Sequence, residues 1–353
     1  MAKKRYIEFD IIRICACFGV IMIHAAVFDQ TSLYDVRSWE YQWIYIWGVL
    51  SRWAVPAFVM LSGMMIISKA NQTSIKQLMW RRVIRMLVVY VAWSAVYSAY
   101  NVYVLENVYA PTKLKTFIDG CFSGELHMWY IPMTAGLYIA SPILAVLVKK
   151  LEKKWAVYWM SGMFLFSSVI PFLIKLDIKF ISTIIASING YMDFQFLGGW
   201  TLYFVLGYYI RKHDFTKKEK FTVYALALAA LVFTLERTVL YGMRTGAAFG
   251  VQNYEYPNIY LMGIGIMVFV KEEVSRLQLS NFLIKHIEKL SGLTFGIYLS
   301  HVLLLRIFYA CGINIQIMHP ALSVPAVSFV VFVAGALLTW VIHKIPVIGK
   351  YIA

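Results

Sequence analysis

The stretch Phe9–His24, FDIIRICACFGVIMIH, decides the fold. It is apolar apart from Asp10, Arg13 and His24, and it sits in a run from about 7 to 28 that is long enough to cross a bilayer as a helix. Arg13 and His24 are eleven positions apart. At about 100° per residue this is three turns plus ~20°, so both side chains share a face, about 16 Å apart along the axis. Asp10 precedes Arg13 by one turn and can pair with it. An ionisable group inside a membrane is costly and turns toward a partner or a polar interior. Two readings stay open at this point: a structural Arg–Asp pair beside a hydrogen-bonded histidine, or a polar seam built for chemistry.

The rest of the chain has the same character. Of 353 residues, 61% are hydrophobic and 14% charged, and mean hydropathy is +0.67. A soluble domain carries about 25% charged residues. The fold class expected is all-α integral membrane: a bundle of about ten transmembrane helices in one domain, 1–353. The expected spans are about 7–28, 41–68, 83–104, 127–148, 155–174, 194–210, 221–241, 257–270, 293–312 and 322–343. An even count puts both termini on one side. On the opposite side the loops hold six basic residues: Arg37, Lys113, Lys115, Lys175, Lys179 and Arg244. Four lie within spans: Arg13, Arg52, Arg237 and Arg306. The other 23 of the 33 lysines and arginines flank the termini's side, so both termini are expected in the cytoplasm. MAKKR before the first apolar run has the form of an uncleaved signal anchor.

The net charge of +15 is spread in short clusters between apolar runs. That distribution fits membrane topology and lipid contact rather than nucleic acid. No Cys/His spacing suggests a metal site, and no glycine-rich nucleotide motif occurs. Cys121 and Cys311 fall on the same outer side, which leaves a disulfide between them open. No clear internal repeat and no long polar linker are present.

Four further stretches hold candidate functional residues. VPAFVMLSGMM follows Arg52; Pro56 can kink the helix, while Ser62 and Gly63 allow close helix approach. Whether this stretch only packs or also lines a substrate path is open. In LMWRRVIRMLVVYVAW, Arg81, Arg82 and Arg85 gather at a cytoplasmic mouth. Positive-inside anchoring explains them; so does an anion clamp, since guanidinium groups suit phosphates. GELHMWYIPMTAGLYIASPIL places His127 beside Trp129 and Tyr130, either as belt residues or as an acceptor site. Glu236 and Arg237 are neighbours near an outer helix end, where adjacent positions point apart and each needs another partner. Tyr298 and His301, three apart in FGIYLSH, share a mid-membrane face, for which plain structural hydrogen bonding is the simpler account.

Taken together these motifs resemble the acyltransferase-3 family of bacterial membrane proteins, over about residues 6–343. The closest likeness is to its surface-polysaccharide O-acyltransferase branch. The matching features are Asp10-x-x-Arg13-x10-His24, VPAFVMLSG, Arg82-x-x-Arg85, HMWYIPMTAGLYIASPIL, LGGWTLYFVLGYYI and FGIYLSH, in that order. The resemblance implies a bacterial plasma-membrane enzyme. It would move an acyl group, usually acetyl, from cytoplasmic acetyl-CoA or another short acyl-CoA to a hydroxyl of an extracytoplasmic glycan or lipid-linked sugar. It implies His24 as the catalytic residue, with Arg13 and Asp10 structural or donor-positioning. Arg82, Arg85 and Arg81 become CoA contacts, and His127, Trp129, Tyr130 and Glu236 acceptor contacts. No metal is implied. Direct transfer and a covalent acyl-histidine are both open. So is a transporter using the same seam, since some relatives accompany amino-acid racemases in glycopeptide resistance and are thought to supply serine. The acyl group, the acceptor and the oligomeric state are not specified.

Overall fold

A computed structural model describes residues 5–27, 34–69, 74–176, 198–247 and 250–346. Among them there is helix and no strand. In chain order the helices are α1 (Ile7–Val27), α2 (Trp39–Ser51), α3 (Ala54–Ile66), α4 (Ile75–Val104), α5 (Lys113–Ser123), α6 (Tyr130–Lys150), α7 (Lys153–Lys175), α8 (Trp200–Lys212), α9 (Lys217–Thr245), α10 (Pro257–Glu272), α11 (Asn281–Ala310) and α12 (Pro320–Lys344). Counting α2 and α3 as one broken span, eight of the described helical segments are long and apolar enough to cross a membrane. The protein is therefore a multi-pass membrane protein.

The two other expected spans correspond to shorter helices. α8 has 13 residues and α10 has 16, against the ~20 that a straight crossing needs. Residues 194–197 of the expected sixth span, and Lys179, lie outside the described residues. The second expected span, 41–68, is broken. Pro56 has no N–H to give the carbonyl of Arg52 four residues earlier, and its ring crowds that carbonyl. The chain opens at Arg52–Trp53 and restarts as α3 at Ala54.

Several helices run past the apolar runs that announced them. α11 begins at Asn281, capped by Ser280, although Lys285, His286, Glu288 and Lys289 make its first turns polar. Hydropathy marks the membrane slab, not the helix. α5 was not foreseen: Thr112 caps its start, and Gly124 ends it with φ 72°.

α1 is central. It packs against α2, α3, α11 and α12, and Ile12, Ala16, Val20, Ile21 and Ala26 are buried in the core. α3 and α8 cross more closely than any side chains would allow. A Cβ on Gly63 would collide with the Phe204 carbonyl, and one on Gly207 with the Met60 carbonyl. Both clashes are with backbone, which cannot swing aside. Gly207→Ala is therefore expected to cost about 1–3 kcal/mol of stability, read as a lowered melting temperature in detergent. Gly136→Ala, which meets open space, is the neutral control.

All four cysteines are free; Cys121 and Cys311 do not pair.

Candidate functional site: a cavity along the first helix

One large cavity, of about 1120 Å³, runs beside α1 and is lined along that helix from Phe9 to His24. Fifteen residues of helix span about 22 Å. Ordinary small-ligand pockets measure about 300–1,000 Å³, so the space suits an extended ligand or two ligands end to end. Nine of the ten residues to which the resemblance gives a site role line it: Asp10, Arg13, His24, Arg81, Arg82, Arg85, His127, Trp129 and Tyr130.

At one end the cavity is basic. Arg81, Arg82 and Arg85 come from the start of α4, and Arg5, Lys69 and Arg211 join them. Among the described residues Asp10 is the one carboxylate in the lining. Asp10 is already engaged. It takes Arg5 at 2.7 Å and Arg13 at 3.0 Å, and Ser291 Oγ donates to it at 2.6 Å. Arg13 also reaches Ser291 Oγ at 3.0 Å. This cluster ties α1 to α11, which bears out the Arg13–Asp10 pair read from the one-turn spacing. Arg81, Arg82 and Arg85, by contrast, form no ion pair with the described residues. A π turn over Met79–Ile84 interrupts α4 at this point and sets their register. Such turns recur at functional sites.

At the other end of α1 three imidazoles meet. The rings of His24 and His301 are 4.9 Å apart, those of His127 and His301 4.9 Å, and those of His24 and His127 5.9 Å. His24 Nδ1 lies 2.8 Å from the carbonyl oxygen of Val20 and 3.3 Å from His301 Nε2. A carbonyl only accepts, so Nδ1 of neutral His24 carries the proton and Nε2 keeps the lone pair. By the same argument His301 holds its proton on Nδ1, 2.5 Å from the Tyr298 carbonyl, and turns its Nε2 lone pair to His24. His24 lines the cavity and His301 stands behind it. Arg13, about 16 Å back along α1, cannot touch an atom that His24 Nε2 touches.

His127 is 3% exposed, and neither of its ring nitrogens has a hydrogen-bond partner among the described residues. Its backbone is fixed from two sides. Tyr298 Oη donates to the His127 carbonyl at 2.7 Å. Two residues earlier, Glu125 receives both terminal nitrogens of Arg306 at 2.9 and 3.0 Å, and the same Arg306 reaches Asn101 Oδ1 at 2.7 Å. A bidentate pair with both side chains largely buried pins the turn that carries His127. Arg306, one of the arginines within the expected spans, is thus paired with a carboxylate.

Beyond the histidines lies an aromatic group. Trp129 and Trp200 have ring centres 5.1 Å apart, and Trp200 and Tyr254 5.5 Å. Arg52, at the α2–α3 break, borders the cavity beside Trp129 and Tyr254.

Glu236 is the exception among the residues expected here. It is outside the cavity lining and pairs with its neighbour Arg237 at 3.2 Å. The expectation that adjacent positions find separate partners is thereby corrected. Both side chains are more than 40% exposed, so each is free to bend back, and the π turn Glu236–Leu240 departs from α-helical spacing.

The residues that sequence reasoning undervalued are His301, Arg52 and Tyr254. His301 carries a signal in retrospect: a histidine three residues after a tyrosine in an apolar helix is costly without a partner. Tyr254 has none, because it sits in a loop.

No curated protein and no solved structure gives a significant match to the chain. A family model described as an acyltransferase domain does, over residues 6–344. Spanning nearly the whole chain, that match shows that the protein belongs to the acyltransferase-3 family of membrane acyltransferases.

Proposed function

We propose that the chain transfers an acyl group, acetyl in the simplest case, from cytoplasmic acyl-CoA to a hydroxyl of an extracytoplasmic glycan, as in the surface-polysaccharide branch of the family. The observation that carries the reading is the continuity of one cavity from three arginines with no ion pair among the described residues to His24. In this reading about ten helices span the plasma membrane, with both termini and the arginine end in the cytoplasm, as the basic-residue asymmetry favours. The CoA phosphates rest on Arg82 and Arg85, with Arg81 beside them. The pantetheine arm lies along α1 past the Asp10–Arg13 cluster, which shapes the channel wall, and brings the thioester toward His24. The acceptor enters from the opposite end, against Trp129 and Tyr130.

His24 Nε2 takes the proton of the acceptor hydroxyl as its oxygen attacks the thioester carbonyl. The imidazolium so formed is steadied at Nδ1–H by the Val20 carbonyl and the His301 lone pair. The tetrahedral intermediate collapses, the carbon–sulfur bond breaks, and the thiolate receives the proton back from His24. Ester and CoA–SH are the products, and His24 is regenerated. His301 is a positioning residue here, holding the ring and its tautomer as the third member of a triad does. His301→Phe is expected to lower kcat at least about tenfold with donor KM unchanged. An unchanged kcat in that variant, correctly folded, removes His301 from this role.

The direct test is ligand stabilisation followed by turnover. Acetyl-CoA at 100 times its dissociation constant adds about 2.7 kcal/mol of stability, which is visible as a raised melting temperature. Proteoliposomes loaded with labelled acetyl-CoA are expected to acylate an externally supplied glycan. Absence of any shift with CoA or acetyl-CoA overturns the donor assignment. Solute flux into liposomes without a donor favours a transporter instead.

A further inference from the structure

The four arginines inside the hydrophobic segments differ in how their charge is met. Arg13 has Asp10, Arg306 has Glu125 and Arg237 has Glu236. Arg52 pairs with no carboxylate among the described residues. Its guanidinium meets only neutral oxygens, Gln252 Oε1 at 3.0 Å and Tyr254 Oη at 3.2 Å. It also stands over the Tyr254 ring, 5.1 Å from its centre. Neutral partners orient a guanidinium without cancelling its charge, and an uncancelled charge at membrane depth is expensive. Arg52 stands at the break before Pro56 and borders the cavity.

Its position separates it from the donor end. Met65, near the far end of α3, contacts Arg13 through its sulfur. Arg52 and Met65 are thirteen positions apart, which is about 20 Å if the path were fully helical. Arg52 therefore sits at the histidine end, far from Arg81, Arg82 and Arg85. Beside it the rings of Trp129, Trp200 and Tyr254 form a tilted aromatic wall.

We propose that Arg52 is the anion-binding position of the acceptor chamber, and that the acceptor carries a carboxylate or phosphate near the hydroxyl that is acylated. The aromatic wall takes the sugar face, Arg52 takes the negative group, and the hydroxyl is left toward His24. The inference rests on the acyl-transfer reading for the name "acceptor", but the anion site itself is tested independently of it.

The experiment uses the full chain in detergent with saturating CoA, which fills the donor end. Glucuronate, glucose 6-phosphate and glucose are titrated in turn, with tryptophan fluorescence as the readout. An anionic sugar is expected to bind saturably, with glucose weaker by about tenfold or more. The carboxylate and phosphate arms show which anion is preferred. Arg52→Gln is expected to lose the anion preference, Arg52→Lys to keep part of it, and Arg82→Ala with Arg85→Ala to keep all of it. CoA binding by Arg52→Gln reports that the variant is folded. Equal binding of glucose and the anionic sugars overturns the proposal, as does an unaltered preference in Arg52→Gln or no binding of either anionic sugar. If CoA does not bind, the donor reading falls, and the anion site stands only if Arg52→Gln, and not Arg82→Ala with Arg85→Ala, loses the anion preference.

Discussion

Replacing His24 by glutamine is expected to lower the rate of acyl transfer by ~10²–10⁴-fold, the usual contribution of a positioned general base. Acetyl-CoA binding is expected to survive, because the proposed reading puts the donor's charged groups at the other end of the cavity. The two effects separate because His24 stands about 16 Å along α1 from Arg13 and further from the α4 arginines. Glutamine is a strict substitute: it is polar and of similar reach, but it cannot accept a proton at neutral pH. The measurement is turnover beside a thermal-shift titration with acetyl-CoA on one preparation. Turnover near the wild-type rate would exclude His24 as the base. Incubating wild-type protein with labelled acetyl-CoA and no acceptor then divides direct transfer, which leaves the protein unlabelled, from an acyl-histidine, which labels His24.

The double variant Arg82→Ala, Arg85→Ala is expected to raise the donor KM by about 100-fold with kcat at saturating donor nearly unchanged. Hydrogen bonds to charged groups contribute about 1.5–3 kcal/mol each when they form. Two of them at an open, solvated mouth amount to roughly 3 kcal/mol, and every 1.4 kcal/mol is tenfold. In the proposed reading the phosphates they hold are remote from the reacting carbonyl, so the contacts are the same in ground and transition states and appear in KM alone. Raising the ionic strength is expected to weaken wild-type donor binding and to affect the double variant less. A donor KM unchanged in the double variant would sink the assignment and return these residues to membrane anchoring.

Much of the site was legible because it is written in short periods. Arg13 and His24 share a face by helical arithmetic, and both line the cavity. Asp10 pairs with Arg13 because they are one turn apart. Arg81, Arg82 and Arg85 are close in sequence, so they are close in space. What escaped was long-range. His301 lies 277 residues from His24, Arg306 lies 181 from Glu125, and Tyr254 lies 202 from Arg52. No local pattern encodes such pairs. Helix ends escaped for another reason: the polar first turns of α11 and the amphipathic α5 lie outside the apolar runs that mark spans. Glu236 is a charged residue near a helix end that lies outside the cavity lining and pairs with its neighbour Arg237.

The π turn at Met79–Ile84 makes the arginine end a matter of chain length as well as composition. A π turn is an α-helix holding one residue too many. Deleting a single residue there would let the helix close into regular α geometry. The flanking turns would keep their alignment, because the wide turn is what takes up the extra residue, but the arginines at the turn would be re-spaced from π to α positions. The cluster would keep all its arginines and lose their common direction. Among relatives, insertions and deletions within these six residues therefore carry more information about the arginine end than substitutions of the arginines' apolar neighbours.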